Sequence, residues 1–93
     1  MSHTSYEELT KRVEEAQRKV VVGGVYYHWR DPSQYYKVIS VGICEWNEEL
    51  CVVYQHLNGN ELTWVRKLEG EDGWLTPVEA DGTSHPRFYL VES

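Results

Sequence analysis

From Gly24 onward the chain is cut at short intervals by turn-forming residues, and the runs between the cuts have the length and composition of β-strands. These are "VYYHW" (25–29), "YYKVISVGI" (35–43), "LCVVYQHL" (50–57), "ELTWVRKL" (61–68), "LTPVE" (75–79) and "RFYLVE" (87–92), mostly β-branched and aromatic. The separators differ in kind. "RDPSQ" reads as a turn with Pro32 at its second position. "CEWNEE" is polar enough for a connection, Asn58-Gly59 is a two-residue hairpin signal, "EGEDGW" reads as loop and Asp81-Gly82 as a turn. Pro77 removes a backbone donor and keeps its run at a sheet edge.

Before Gly24 the period changes. Ser5 and Glu8 fit a capping box, in which the serine side chain accepts from the Glu8 amide. Tyr6, Leu9, Val13, Ala16 and Val20 recur at three and four residues, a narrow apolar stripe. Glu7–Lys11, Glu8–Arg12, Glu14–Arg18 and Glu15–Lys19 are i,i+4 pairs with the acid first, the better orientation. Gly23-Gly24 ends the helix. The stripe packs on the rest of the domain or pairs with another helix, from a second copy or a partner, so monomer and homodimer both stay open. Ninety-three residues make one compact unit with little core to spare. Closing the sheet removes its edges. The expected fold is therefore mainly β: a small SH3-like barrel of five or six antiparallel strands over residues 24–93, with one N-terminal amphipathic α-helix over residues 1–23.

Charge narrows the partners. The formal net charge is −6, and the segment through Gly23 is balanced, so the deficit sits on the strand-rich part. Such a domain repels polyanions on average, which disfavours nucleic acid unless Arg30, Arg66, Lys67 and Arg87 gather locally. No run of 18 apolar residues predicts a membrane span, and the N-terminus has no apolar stretch of the secretory kind. Cys44 and Cys51 then read as free thiols in a reducing, cytoplasmic compartment.

The order "GVYYHW", "YYKVISVG", "EELCVVYQHL", "LTWVRKLE" and "HPRF" resembles domain-of-unknown-function family 1653, small bacterial proteins. The matching positions are Gly24, Tyr26, His28 and Trp29; Val52, Val53 and Tyr54; Trp64, Val65, Arg66, Leu68 and Glu69; and Pro86, Arg87 and Phe88. The resemblance spans residues 24–92 and leaves the helix outside. This chain departs from the family pattern at Arg30-Asp31, at Lys67, where proline is usual, and in "CEWNEE". The resemblance implies a fold more than an activity.

Four runs then ask for a chemical reading. Trp64 and Arg66 share a strand face with Leu62 and Leu68, which turns the arginine toward the core edge. There it is a structural cation paired with Glu69 or Glu79 or stacked on a tyrosine, or else a grip for a carboxylate or phosphate, with Arg87 as companion. Tyr26, Tyr36, Tyr54 and Trp64 form a core cluster or an aromatic cage for a cation. His28, His56, Cys44 and Cys51 lack zinc-ligand spacing and show no nucleophile pair, so neither a metal nor a cofactor is expected. Glu69, Glu71 and Asp72 sit in a glycine-flanked loop that reads as solvated.

The leading expectation is a non-catalytic binding module that meets a small-molecule ligand or protein segment through Tyr26, His28, Tyr36, Trp64, Arg66 and Arg87. The alternatives are a nucleic-acid-associated accessory domain and a small enzyme using His28 or the acidic loop 69–72.

Overall fold

The structure is a computed structural model that describes residues 5–59 and 61–92. The first four residues of the expected helical segment, Asn60 in the expected fourth strand's approach, and Ser93 lie outside the described residues. The chain runs α1 (Tyr6–Lys19), β1 (Val25–His28), β2 (Asp31–Ile43), β3 (Leu50–His56), β4 (Thr63–Lys67), β5 (Val78–Ala80), β6 (Thr83–His85) and β7 (Phe88–Glu92).

Five strands form one antiparallel sheet in the order β4-β3-β2-β1-β7, and β5 with β6 forms a separate two-stranded hairpin. The class is mainly β with one helix, as the strand runs predict. The expected closed barrel is not formed: β4 and β7 are the two edges of the sheet and share no backbone pairing. The sheet curls instead. The Arg66 guanidinium on β4 lies 5.5 Å from the Phe88 ring centre on β7. Side chains, rather than a hydrogen-bond ladder, bring the two edges together.

Local chemistry accounts for most boundaries. Ser5 caps α1, its hydroxyl accepting from the Glu8 amide at 3.2 Å. The helix ends at Lys19, ahead of the glycine pair, because Val20 turns extended and drops fully buried into the core. The apolar stripe is graded: Ala16 and Val20 are buried, Leu9 and Val13 half-buried, and Tyr6 is 90% exposed. The helix thus packs in cis at its C-terminal end. Of the expected acid–base pairs, Glu8 with Arg12 forms an ion pair, at 3.4 Å.

Two turn expectations are corrected. "RDPSQ" does not turn at Pro32, since the turn is confined to Trp29-Arg30 and β2 already begins at Asp31. Asp31 makes this work by accepting from both the amide and the hydroxyl of Ser33, and Pro32 sits where a strand tolerates it, near its first residue. Asn58-Gly59 does not close a two-residue hairpin, because the His56 amide reaches the Leu62 carbonyl instead. Asn58 is used elsewhere: its side-chain oxygen accepts from the Tyr35 amide at 2.6 Å. Asp81-Gly82 does turn β5 into β6, both residues having positive φ.

The core is Ala16, Val20, Tyr26, Val38, Val41, Val52, Tyr54, Leu68, Trp74 and Phe88. Trp74 belongs to "EGEDGW", read above as loop. Its backbone is irregular, but the segment folds back on β4, with the Trp74 amide donating to the Lys67 carbonyl and the Leu75 amide to the Leu68 carbonyl. Gly73 permits this fold-back. A Cβ there would sit 2.6 Å from the Glu69 carbonyl carbon and 2.7 Å from its Cα. Gly73→Ala is therefore expected to force backbone movement and cost on the order of 2 kcal/mol, read as a lower urea midpoint with unchanged slope. An unchanged midpoint would show that the loop relaxes freely.

Candidate functional site: an arginine and aromatic corner

Phe88 is the floor of the site. It is 8% exposed and stacks on Trp74 with ring centres 3.7 Å apart and planes 7° from parallel. Tyr26 and Tyr54 meet Trp74 edge-on from the sheet side. On the other flank, His28 meets Phe88 edge-on at 5.1 Å and Tyr36 does so at 6.1 Å. Tyr36 in turn stacks on His56, whose Nε2 donates to the Gln34 side-chain oxygen at 2.6 Å. Antiparallel register aligns this row: Tyr26 faces Tyr36 across β1–β2, and Tyr36 faces His56 across β2–β3.

Arg66 rests on this floor, and Arg87 stands beside it at Asp72. Arg66 lies over Phe88, and its Nη1 donates to the Asp72 backbone carbonyl at 2.6 Å. Its Nε is buried and has no hydrogen-bond partner among the described residues. The Arg87 side chain is only 14% exposed, its Nε donates to the Thr76 carbonyl at 3.4 Å, and its Nη2 stands 3.6 Å from the Asp72 carboxylate. Both guanidiniums thus hold the 69–77 segment against the sheet.

The same charges act on their neighbours. Burial first, then Arg66, Arg87 and Arg30, push the His28 ring below its ordinary 6.5, against a smaller opposing pull from Asp31. His28 Nδ1 accepts from the Arg30 amide at 3.2 Å, so the neutral ring carries its proton on Nε2. Burial is also the main cause that raises the Tyr36 hydroxyl above its usual range, with Tyr54 and Asp31 adding and Arg66 opposing. The corner therefore presents two cations and two neutral donors.

A pH dependence follows. His28 binds a proton less readily folded than unfolded, so its contribution is intact above the unfolded value near 6.5 and is lost as pH falls through it toward the folded value. Urea midpoints at pH 7.5 and 5.5 are expected to fall more for the native chain than for His28→Gln. Equal falls would mean that His28 does not couple folding to pH.

The chain matches the family described as "Protein of unknown function (DUF1653)" over residues 24–90. It belongs to that family. No curated protein and no solved structure matches the chain significantly. The matched region of this DUF1653 chain holds every residue of the corner, and α1 lies outside it.

Of the residues singled out in the sequence, His28, Tyr36, Arg66 and Arg87 come together here. Tyr26 is buried and its hydroxyl accepts from the Val21 amide at 2.9 Å, a structural position under the corner. Trp64 faces Tyr54 across β3–β4 but is 49% exposed and makes no ring contact among the described residues. The expected even face of β4 is thus graded, from buried Leu68 through half-buried Arg66 to exposed Trp64 and Leu62. Arg66 finds a backbone carbonyl, not Glu69 or Glu79. Of the expected cage of Tyr26, Tyr36, Tyr54 and Trp64, Tyr26 and Tyr54 are buried in the core and Trp64 stands apart from the other rings among the described residues.

Trp74 and Gln34 are the corner residues that sequence reading passed over, and Asp72, read there as part of a solvated loop, pairs with the arginines instead. The only hint for Trp74 was a large aromatic in an otherwise acidic, glycine-rich loop. Lys67 points away from the corner and lines a hollow of about 400 Å³ with Arg12, Glu48, Glu49 and Glu69. Cys44 and Cys51 are free thiols. No three His, Cys, Asp or Glu side chains gather as metal ligands among the described residues, and no described helix is long and apolar enough to cross a membrane.

Proposed function

We propose that this protein is a non-catalytic binding module, built on a curled SH3-like sheet and working in the cytoplasm, that meets a small ligand or a protein segment at the Phe88 corner. The observation that carries this reading is the convergence of Arg66, Arg87, His28 and Tyr36 on one aromatic floor in a chain of net charge −6. Cations concentrated at one place on an acidic surface focus the field there. Catalysis is the weaker reading, since the acidic loop spends Asp72 on the arginines and, among the described residues, His28 has no nucleophile or carboxylate hydrogen-bonded to it.

A nucleic-acid role calls for an extended basic stripe. Lys67 leaves the stripe for the helix side, and three arginines remain around His28. Amide, indole and arginine side-chain NMR spectra of the labelled protein, titrated with pooled peptides, metabolites and oligonucleotides, test the reading. Saturable shifts at Arg66, Arg87 and Tyr36 support it. A response confined to oligonucleotides and lost steeply with salt would favour the nucleic-acid role. No response at these residues with any pool would remove the corner as a site.

A further inference from the structure

We infer that Arg66, Arg87 and His28 form an oxyanion site for the carboxylate or phosphate group of a small ligand, and that the Asp72 carboxylate is the internal occupant such a ligand displaces. This rests on the binding-module reading and names the chemistry of its ligand.

The donors at the corner outnumber their acceptors. Arg66 Nε is buried without a partner among the described residues, a costly state for a charged donor. Arg87 is largely buried, yet its Nη2 stands 3.6 Å from Asp72, beyond hydrogen-bond range, and its Nε reaches Thr76 only at 3.4 Å. Two guanidiniums with weakly engaged donors, Arg66 over the Phe88 ring and Arg87 beside Asp72, suit a forked acceptor, and carboxylate and phosphate supply that geometry equally. The His28 ring, its Nδ1 occupied by the Arg30 amide, leaves Nε2–H as a neutral donor, with the pull of Asp31 on the ring outweighed by the three arginines and burial.

Asp72 is suited to yield. Its side chain is 76% exposed, its residue lies between Gly70 and Gly73, and its backbone has φ 57°. The bond that fastens the loop uses its backbone carbonyl, so the carboxylate can swing to solvent while Arg66 keeps its hold. An external cation is a poor alternative, because two arginines repel it.

The test follows the Arg66 and Arg87 Nε–H signals and the His28 ring by NMR. Sodium acetate and inorganic phosphate are titrated separately against sodium chloride at matched ionic strength. Saturable shifts with acetate, phosphate or both are expected, and the pattern tells carboxylate from phosphate. Asp72→Asn keeps the backbone carbonyl and tolerates positive φ. It is expected to tighten oxyanion binding about threefold, the effect of removing one partly exposed competing charge. Equal shifts with chloride, or affinity unchanged or weakened in Asp72→Asn, would overturn the inference. If N-acetyltyrosinamide or tetramethylammonium moves these signals while neither oxyanion does, the oxyanion site fails and the binding-module reading stands. If no probe moves them, both fail.

Discussion

Trp74→Ala is expected to destabilise the fold by about 3–5 kcal/mol, the usual cost of emptying a core tryptophan site. The side chain is 3% exposed and lies between Phe88 on one side and Tyr26 and Tyr54 on the other. Removing it loses apolar burial, one stacked and two edge-on ring contacts, and the support under the arginine corner. A domain of this length has about 5 kcal/mol to lose, near the low end for folded proteins. The variant should therefore be largely unfolded in mild urea, or without it, by far-UV circular dichroism. Trp46, 84% exposed on the β2–β3 connection, is the control. Trp46→Ala is expected to stay within about 0.5 kcal/mol of the native chain. A Trp74→Ala loss as small as that of Trp46→Ala would mean that the 69–77 segment is not part of the core.

Trp74 also marks the limit of what the sequence conveys. The strands were legible because their signals are local: β-branched and aromatic runs, with a turn pair such as Asp81-Gly82 between them. The helix was legible for the same reason, through Ser5 and the stripe ending in Ala16 and Val20. Trp74 has no such pattern. It is flanked by Glu71, Asp72 and Gly73, and only the fold-back onto Lys67 and Leu68 makes its position interior. Pro32 misled in the opposite direction, because a residue suited to a turn is also tolerated at the start of a strand.

The site divides along the same line. Arg66, His28 and Tyr36 were visible as residue types on strands and Arg87 at the entry to one, and alternation placed Arg66 on the face of Trp64. Their mutual distances depend on the curl that brings β7 toward β4, and no local signal encodes that curl. Trp64 shows the consequence. It shares a strand face with Arg66, yet it lies beyond the curl and half in solvent. The Asp72 carbonyl was invisible for a further reason: any residue can supply a backbone acceptor, so side-chain identity could not name it.

Arg66→Met is expected to separate the two roles of this arginine. Methionine keeps much of the length and an apolar body over Phe88, and its thioether sits well against an aromatic ring. It cannot donate to the Asp72 carbonyl. The lost bond to a charged donor is worth about 1.5–3 kcal/mol, and release of the unpartnered Nε offsets part of it. A net loss of about 2 kcal/mol is therefore expected in a urea titration. Oxyanion affinity should fall by at least about tenfold, since one charge-assisted contact of this kind exceeds about 1.4 kcal/mol. The His28 ring is an independent witness: without the Arg66 charge its titration should move up toward 6.5. Arg66→Lys keeps the charge but not the fork, so His28 should stay low while oxyanion binding still weakens. Reduced stability with unchanged oxyanion affinity would make Arg66 a fastener of the 69–77 segment alone. Weakened binding in both variants, with His28 moved only in Arg66→Met, would show the guanidinium acting by geometry as well as by charge.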